Sequence, residues 1–167
     1  MNAAYKELAV RIRDEVPELE RLMARAMRNW QHVVTGIVDQ DVYLDSVALN
    51  VYSFYSGLER LLELIARHVD RNAPTGDTWH QDLLRQMKQD VPGARPSVIS
   101  HKSYEGLDEF RRFRHLVRNV YATNLRPDRL QDLLDMLPTL WPALRAELLG
   151  FADYLDQLNS AMDDAES

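Results

Sequence analysis

The chain has 167 residues, of which 46% are hydrophobic and 28% charged, and its 20 Lys and Arg against 26 Asp and Glu give a formal net charge of −6. This length is sufficient for one domain with its own core. Because the sequence contains no Cys, disulfides and Cys-based zinc sites are excluded, and the net negative charge argues against a general nucleic-acid coat.

The first residues of the chain, MNAAYKELAVRIRDE, alternate charged positions with short apolar pieces. They lack the apolar core of a secretory signal and the length of a membrane helix. We therefore expect a cytoplasmic protein that has no membrane partner.

Apolar residues recur at helical spacing along most of the chain, which predicts an all-α fold. Long helices joined by short loops indicate an antiparallel bundle of about five helices. The second helix is apolar almost all round and is expected to be the central one. The predicted helices cover about 3–34, 42–69, 79–89, 103–122 and 127–161, the third with Asp77 or Thr78 as N-cap.

Prolines and charge suggest where these elements end. Pro17 is expected to start or kink a segment of the first helix, and Pro138 and Pro142 are expected to break the fifth. We predict a single domain over residues 1–161 and a disordered acidic tail over residues 162–167.

The fourth predicted helix lies in the one basic segment, because residues 101–130 contain seven basic and four acidic side chains whereas residues 131–167 contain one and eight. In helical projection, Arg114 lies where the apolar face meets the polar face. A partly desolvated guanidinium needs partners. Arg114 therefore either pairs with Glu59 or Glu63 of the second helix or binds a phosphate, for which its planar fork is suited. The polar face itself contains Arg111, Arg112, His115, Arg118 and Asn119.

The string RFRHLVRNVY followed by ATNLRPDRL resembles the signature region of HEPN-domain ribonucleases, in particular the HepT-like toxins of HEPN/MNT (minimal nucleotidyltransferase) toxin-antitoxin pairs. That signature is Arg, four residues, His, one residue, Tyr. Arg114 and Tyr121 occupy its first and last positions, and Asn119 stands at the His position. WHQDLLRQM and NVYSFYSGLERLLELIA resemble the same subgroup, so the resemblance spans most of the chain.

The resemblance implies a metal-independent endoribonuclease without a cofactor, whose RNA cleft forms in a homodimer. Such cleavage needs a base for the 2′-OH proton, a proton donor for the leaving 5′ oxygen, and cations that stabilise the phosphorane. The resemblance makes Arg114 and position 119 catalytic, and His115 is a further candidate. Arg111 and Arg118 are expected to bind RNA phosphates.

A cognate MNT antitoxin is the implied protein partner, and Tyr121 is the residue on which such an antitoxin can place AMP. A bulky anionic nucleotide beside Arg114 would compete with RNA for the phosphate position. By spacing alone, Tyr121 is equally compatible with a core tyrosine whose hydroxyl reaches the surface.

Asn119 departs from the signature, because an amide cannot accept and return a proton near neutral pH. We therefore expect cleavage by this chain to be impaired by about 10²- to 10⁴-fold. An engineered replacement or natural inactivation is favoured over compensation by His115, which lies one helical turn away. The alternative functions are a catalytically inactive HEPN module that binds a nucleotidyltransferase or another protein and, ranked last, a helical scaffold without a role in nucleic-acid binding.

Overall fold

The computed structural model describes residues 3–36, 38–119 and 125–165, and of Asn119 only the backbone. These residues form five α-helices and contain no strand, which confirms the all-α prediction. None of the described helices is both long enough and apolar enough to cross a membrane. The helices are α1 (Ala3–Thr35), α2 (Gln40–His68), α3 (Trp79–Met87), α4 (His101–Asn119) and α5 (Pro127–Ala165). The predicted end of the fourth helix at residue 122 lies outside the described residues.

The long helices α1 and α2 are antiparallel, since only residues 36–39 connect them. Their contact is close at Gly57, where a Cβ atom would lie 3.0 Å from a methyl group of Leu19. Nearer the connection, the Asn29 amide donates a hydrogen bond of 2.7 Å to the Ser46 hydroxyl. α5 also packs on α1.

α2 occupies the centre of the bundle, as its apolar character predicts, because it contacts each of the other four helices. The ring of Phe54 from α2 meets Phe110 of α4 and Trp141 of α5 edge to face, at centroid distances of 5.6 and 5.8 Å. This aromatic cluster fixes α4 against the central helix and so positions the basic residues of α4.

α5 continues through Pro138 and Pro142, so the predicted breaks are wrong. A proline removes the hydrogen bond that its N–H would donate to the carbonyl four residues earlier. Both prolines are exposed, while Leu134, Leu137 and Leu144 on the buried side of α5 pack into the core on either side of them. α1 likewise begins at Ala3 rather than at Pro17, which is exposed within it.

The end of α5 differs from the predicted domain boundary at residue 161. The helix extends to Ala165 and therefore includes residues 162–165 of the predicted disordered tail. No Gly or Pro follows Gly150, so no strong helix breaker ends the helix earlier.

The loop after α3 is fixed by a buried ion pair. Arg95 donates two hydrogen bonds, of 2.6 and 2.7 Å, to the carboxylate of Asp70, and their side chains are 0% and 2% exposed. Arg95 also donates to the carbonyls of Gln86, Gln89 and Pro96. Asp70 follows α2, and Gln86 belongs to α3. Because Arg95 binds both residues, it holds α3 and its loop against the central helix.

Candidate active site

The side chain of Arg114 on α4 is held in place by contacts with the central helix. Its Nε donates a hydrogen bond of 3.1 Å to Ser56 Oγ, and its NH2 nitrogen lies 3.7 Å from Glu59 Oε1. The Tyr52 ring lies beneath the guanidinium, at 5.6 Å from ring centroid to guanidinium carbon, a distance at which cation–π attraction operates. Of the two carboxylates considered as partners, Glu59 is the one in contact, since Glu63 pairs with Arg67 on its own helix.

Glu59 is a buried carboxylate that contacts residues of two other helices. Its side chain is 5% exposed, and while Oε1 faces Arg114, Oε2 accepts a hydrogen bond of 2.7 Å from Nδ1 of His80 on α3. Since a carboxylate only accepts, the imidazole proton of this bond is on Nδ1. The ring of Trp79 stacks on the His80 ring at 3.7 Å between centroids. Glu59 and Trp79 together fix the orientation of the imidazole.

Tyr55 lies beside this carboxylate within the core. Burial, and then the negative charge of Glu59, raise the pKa of Tyr55 well above its ordinary value. The phenol is therefore neutral near pH 7. Its hydroxyl makes no hydrogen bond of acceptable geometry to any described residue.

A cleft of about 140 Å³ lies between α3 and α4, and both Arg114 and His80 line it. We call it the histidine cleft, because both His80 and His115 line it. His80 is partly buried, with 23% of its side chain exposed, whereas His115 is exposed. The cleft combines two imidazoles with two guanidinium groups, which are the groups needed for proton transfer and for binding a phosphate. Its remaining lining residues are Asp77, Thr78, Gln81, Arg111 and Arg114.

The other predicted phosphate-binding residue, Arg118, lies in a different cleft. It is exposed and lines a groove of about 430 Å³ together with Leu49 and Tyr52, which we call the tyrosine cleft. Because Tyr52 also lies beneath Arg114, Arg114 stands between the two clefts. The structure thus separates Arg118 from Arg111 and His115, which the helical projection grouped on one face.

The arginines that precede Arg114 are partly neutralised within α4. Arg111 Nε donates to Asp108 Oδ1 at 2.7 Å, and Arg112 Nε donates to the other oxygen of that carboxylate at 3.1 Å. The Arg111 side chain is 19% exposed and that of Arg112 is 59% exposed. Arg111 therefore lines the histidine cleft with a guanidinium whose positive charge is partly neutralised by Asp108.

Two predicted site residues fall outside what the structure describes. The backbone of Asn119 ends α4 but its side chain is not described, and Tyr121 lies in the segment 120–124. In the described parts of the chain, no group of three or more His, Asp or Glu side chains is arranged to hold a metal ion.

The sequence analysis did not identify His80, which α3 brings to the cleft. The residue lies 21 positions from Glu59, so no single-helix pattern connects the two. One signal was available, since a carboxylate on the most apolar helix requires cationic or hydrogen-bonding partners from the helices packed on it.

Comparison with protein families gives a match. A family model described as HepT-like protein matches residues 46–155, more than half of the chain. The matched range contains α3, α4 and every residue that lines the histidine cleft. No curated protein and no solved structure matches the chain significantly.

Proposed function

Because the chain belongs to the HepT-like protein family, we propose that it is a metal-independent endoribonuclease, like the HEPN toxins that its signature region resembles. The observation that carries the proposal is the environment of Arg114. Its side chain is 13% exposed, and it is held by Ser56 and Glu59 at the edge of a cleft that also contains Arg111 and two histidines. A fixed guanidinium of this kind can stabilise the charge of a phosphorane without reorganising during the reaction.

The two clefts on either side of Arg114 suggest a path for the RNA. A single strand with its scissile phosphate at Arg114 can extend toward Arg118 and Tyr52 in the tyrosine cleft. Aromatic rings and arginines are the groups that bind unpaired bases and phosphates, and Tyr52 is half-buried in this groove. RNA binding of this type weakens as salt concentration rises.

We propose that the active form is a homodimer and that the partner protein is an MNT antitoxin. Support for a dimer comes from the resemblance, since the HEPN ribonucleases that the signature region resembles form their RNA cleft between two protomers. A second copy would double the basic segment and give a basic groove on an acidic protein. AMP placed on Tyr121 by the antitoxin would then block the phosphate position.

The first test is RNA cleavage without metal by this chain and by Asn119→His, measured side by side in a chelating buffer. We expect at least the Asn119→His protein to produce 2′,3′-cyclic phosphate and 5′-OH ends, because histidine restores the proton-transfer group of the signature. The readout is the chemistry of the new ends rather than loss of RNA, which excludes contaminating nucleases that leave other ends.

The opposite outcome supports a different function. If neither protein cleaves any RNA offered, and both bind a nucleotidyltransferase partner, the chain is the catalytically inactive binding module. Position 119 favours that alternative, because an amide there cannot transfer a proton.

A second prediction concerns Arg118, which lines the tyrosine cleft and is exposed. Arg118→Ala is expected to weaken RNA binding and to lower the slope of log K against log salt by about 0.7, the value for one phosphate contact on a single strand. Fluorescence anisotropy with a labelled single-stranded RNA over a salt series measures both quantities. Arg25→Ala is the matched control, since Arg25 is an exposed arginine of α1 that lines neither cleft. Equal slopes for all three proteins would remove Arg118 from the RNA path.

A further inference from the structure

We propose that His80 is a catalytic residue, the base that accepts the 2′-OH proton in this chain, and that Glu59 is its positioning residue. The inference rests on the proposed ribonuclease function and deepens it. It assigns proton transfer to a residue of α3, outside the signature on α4, at a site where position 119 of the signature has no titratable side chain.

The contacts of His80 are those that a general base requires. Nδ1 lies 2.7 Å from Glu59 Oε2, and when Nδ1 donates to this carboxylate, the neutral form of the imidazole has its lone pair on Nε2. Nε2 lies on the opposite side of the ring from that bond. With 23% of the His80 side chain exposed and the ring lining the histidine cleft, the imidazole can reach a group bound in the cleft.

The carboxylate of Glu59 contacts both His80 and Arg114, the residue proposed to bind the phosphate. Glu59 Oε1 lies 3.7 Å from Arg114, while Oε2 accepts from His80. His80 and Arg114 also line the same cleft, so a phosphate held by Arg114 and the imidazole share one site. Trp79, stacked on the ring, limits its rotation, so the imidazole is already oriented before RNA binds.

The reaction is balanced without any group that the chain lacks. Nε2 of His80 takes the 2′-OH proton as the 2′ oxygen forms its bond to the adjacent phosphorus. The bond from phosphorus to the 5′ oxygen breaks, and that oxygen takes a proton from water. His80 then returns its proton to the hydroxide that remains. Arg114 stabilises the charge of the phosphorane throughout.

His115, the other histidine of the cleft, is the competing base. It is exposed and belongs to α4, whereas His80 is oriented by a buried carboxylate. The two assignments predict different losses when each histidine is replaced alone.

The experiment compares metal-free cleavage by the full chain, His80→Gln, His115→Gln and Asn119→His. We expect the unsubstituted chain to cleave and His80→Gln to be slower by about 10²- to 10⁴-fold, the usual effect of losing a general base. His101→Gln is the matched control, because His101 is 68% exposed and pairs with Glu105 away from the cleft. Added imidazole should restore part of the activity of His80→Ala, which a purely structural role for His80 would not allow.

The outcomes separate this inference from the function on which it rests. If the unsubstituted chain is inert while Asn119→His cleaves, the ribonuclease function stands and His80 is not the base. The inference is also wrong if His80→Gln cleaves as fast as the unsubstituted chain, or if only His115→Gln loses activity. If neither the chain nor Asn119→His cleaves, the ribonuclease function itself fails. Should His80→Gln not fold, two other measurements still test whether His80 is the base. These are imidazole rescue of His80→Ala and the comparison of the unsubstituted chain with Asn119→His.

Discussion

Arg114→Ala, introduced into the Asn119→His protein, is expected to slow metal-free RNA cleavage by at least about 10²-fold. In the proposed mechanism, the substitution removes the cation that stabilises the phosphorane. It also leaves His80 as the remaining described partner of the buried Glu59 carboxylate. The initial rate of cyclic phosphate formation at saturating RNA measures the effect, and the urea midpoint of unfolding shows whether the fold is retained.

Two further variants separate charge from geometry at this position. Arg114→Lys retains the charge but lacks the planar fork that contacts both Ser56 and Glu59, so we expect an intermediate rate. Arg25→Ala removes one exposed arginine of α1 and is expected to cleave at the parental rate. Parental cleavage by Arg114→Ala would contradict the proposed mechanism.

Arg95→Ala is expected to lower the free energy of unfolding by about 3–5 kcal/mol, because it leaves the carboxylate of Asp70 buried without its charge partner. Asp70 is 2% exposed and accepts hydrogen bonds of 2.6 and 2.7 Å from Arg95. Urea unfolding followed by circular dichroism measures the change, with the slope against urea expected to stay constant.

The control for this prediction is an exposed ion pair on α3, the helix that precedes the loop of Arg95. Arg85 and Asp82 of α3 lie 3.4 Å apart with side chains 49% and 37% exposed, and Arg85→Ala is expected to change stability by at most about 0.5 kcal/mol. The double variant Arg95→Met with Asp70→Leu removes both buried charges, so we expect it to be more stable than Arg95→Ala. A loss at Arg95 no larger than the loss at Arg85 would show that the buried pair does not hold the loop.

The helical architecture could be predicted because each helix has an apolar face that repeats along the sequence. The starts of α1, α2 and α4 lie within two residues of the predicted positions. The effect of the prolines could not be predicted, since it depends on which side of α5 packs on the rest of the bundle. Pro138 and Pro142 lie on the exposed side of α5, and this follows only from the packing of the other helices.

The ion pair between Arg114 and the central helix could be predicted, because it follows from the place of the arginine on one helix. Arg114 and its alternative partner Glu59 were both identified from the boundary position of the arginine. His80 was not, since its role depends on how α3 packs against α2, and residues 69–78 between them contain no periodic pattern. The separation of Arg118 from Arg111 was missed for a similar reason, because a projection of one helix ignores Tyr52 of α2.

Glu59 divides its two oxygens between Arg114 and His80, and this makes the two residues thermodynamically dependent on each other. A substitution at one alters the electrostatic environment of the other through a carboxylate that water does not screen. If both residues act in RNA cleavage as proposed, we expect their substitutions not to be additive, with the double substitution costing less than the sum of the two single ones. The effect of replacing Arg114 or His80 alone therefore includes a change at the other residue, and Glu59, His80 and Arg114 behave as one unit.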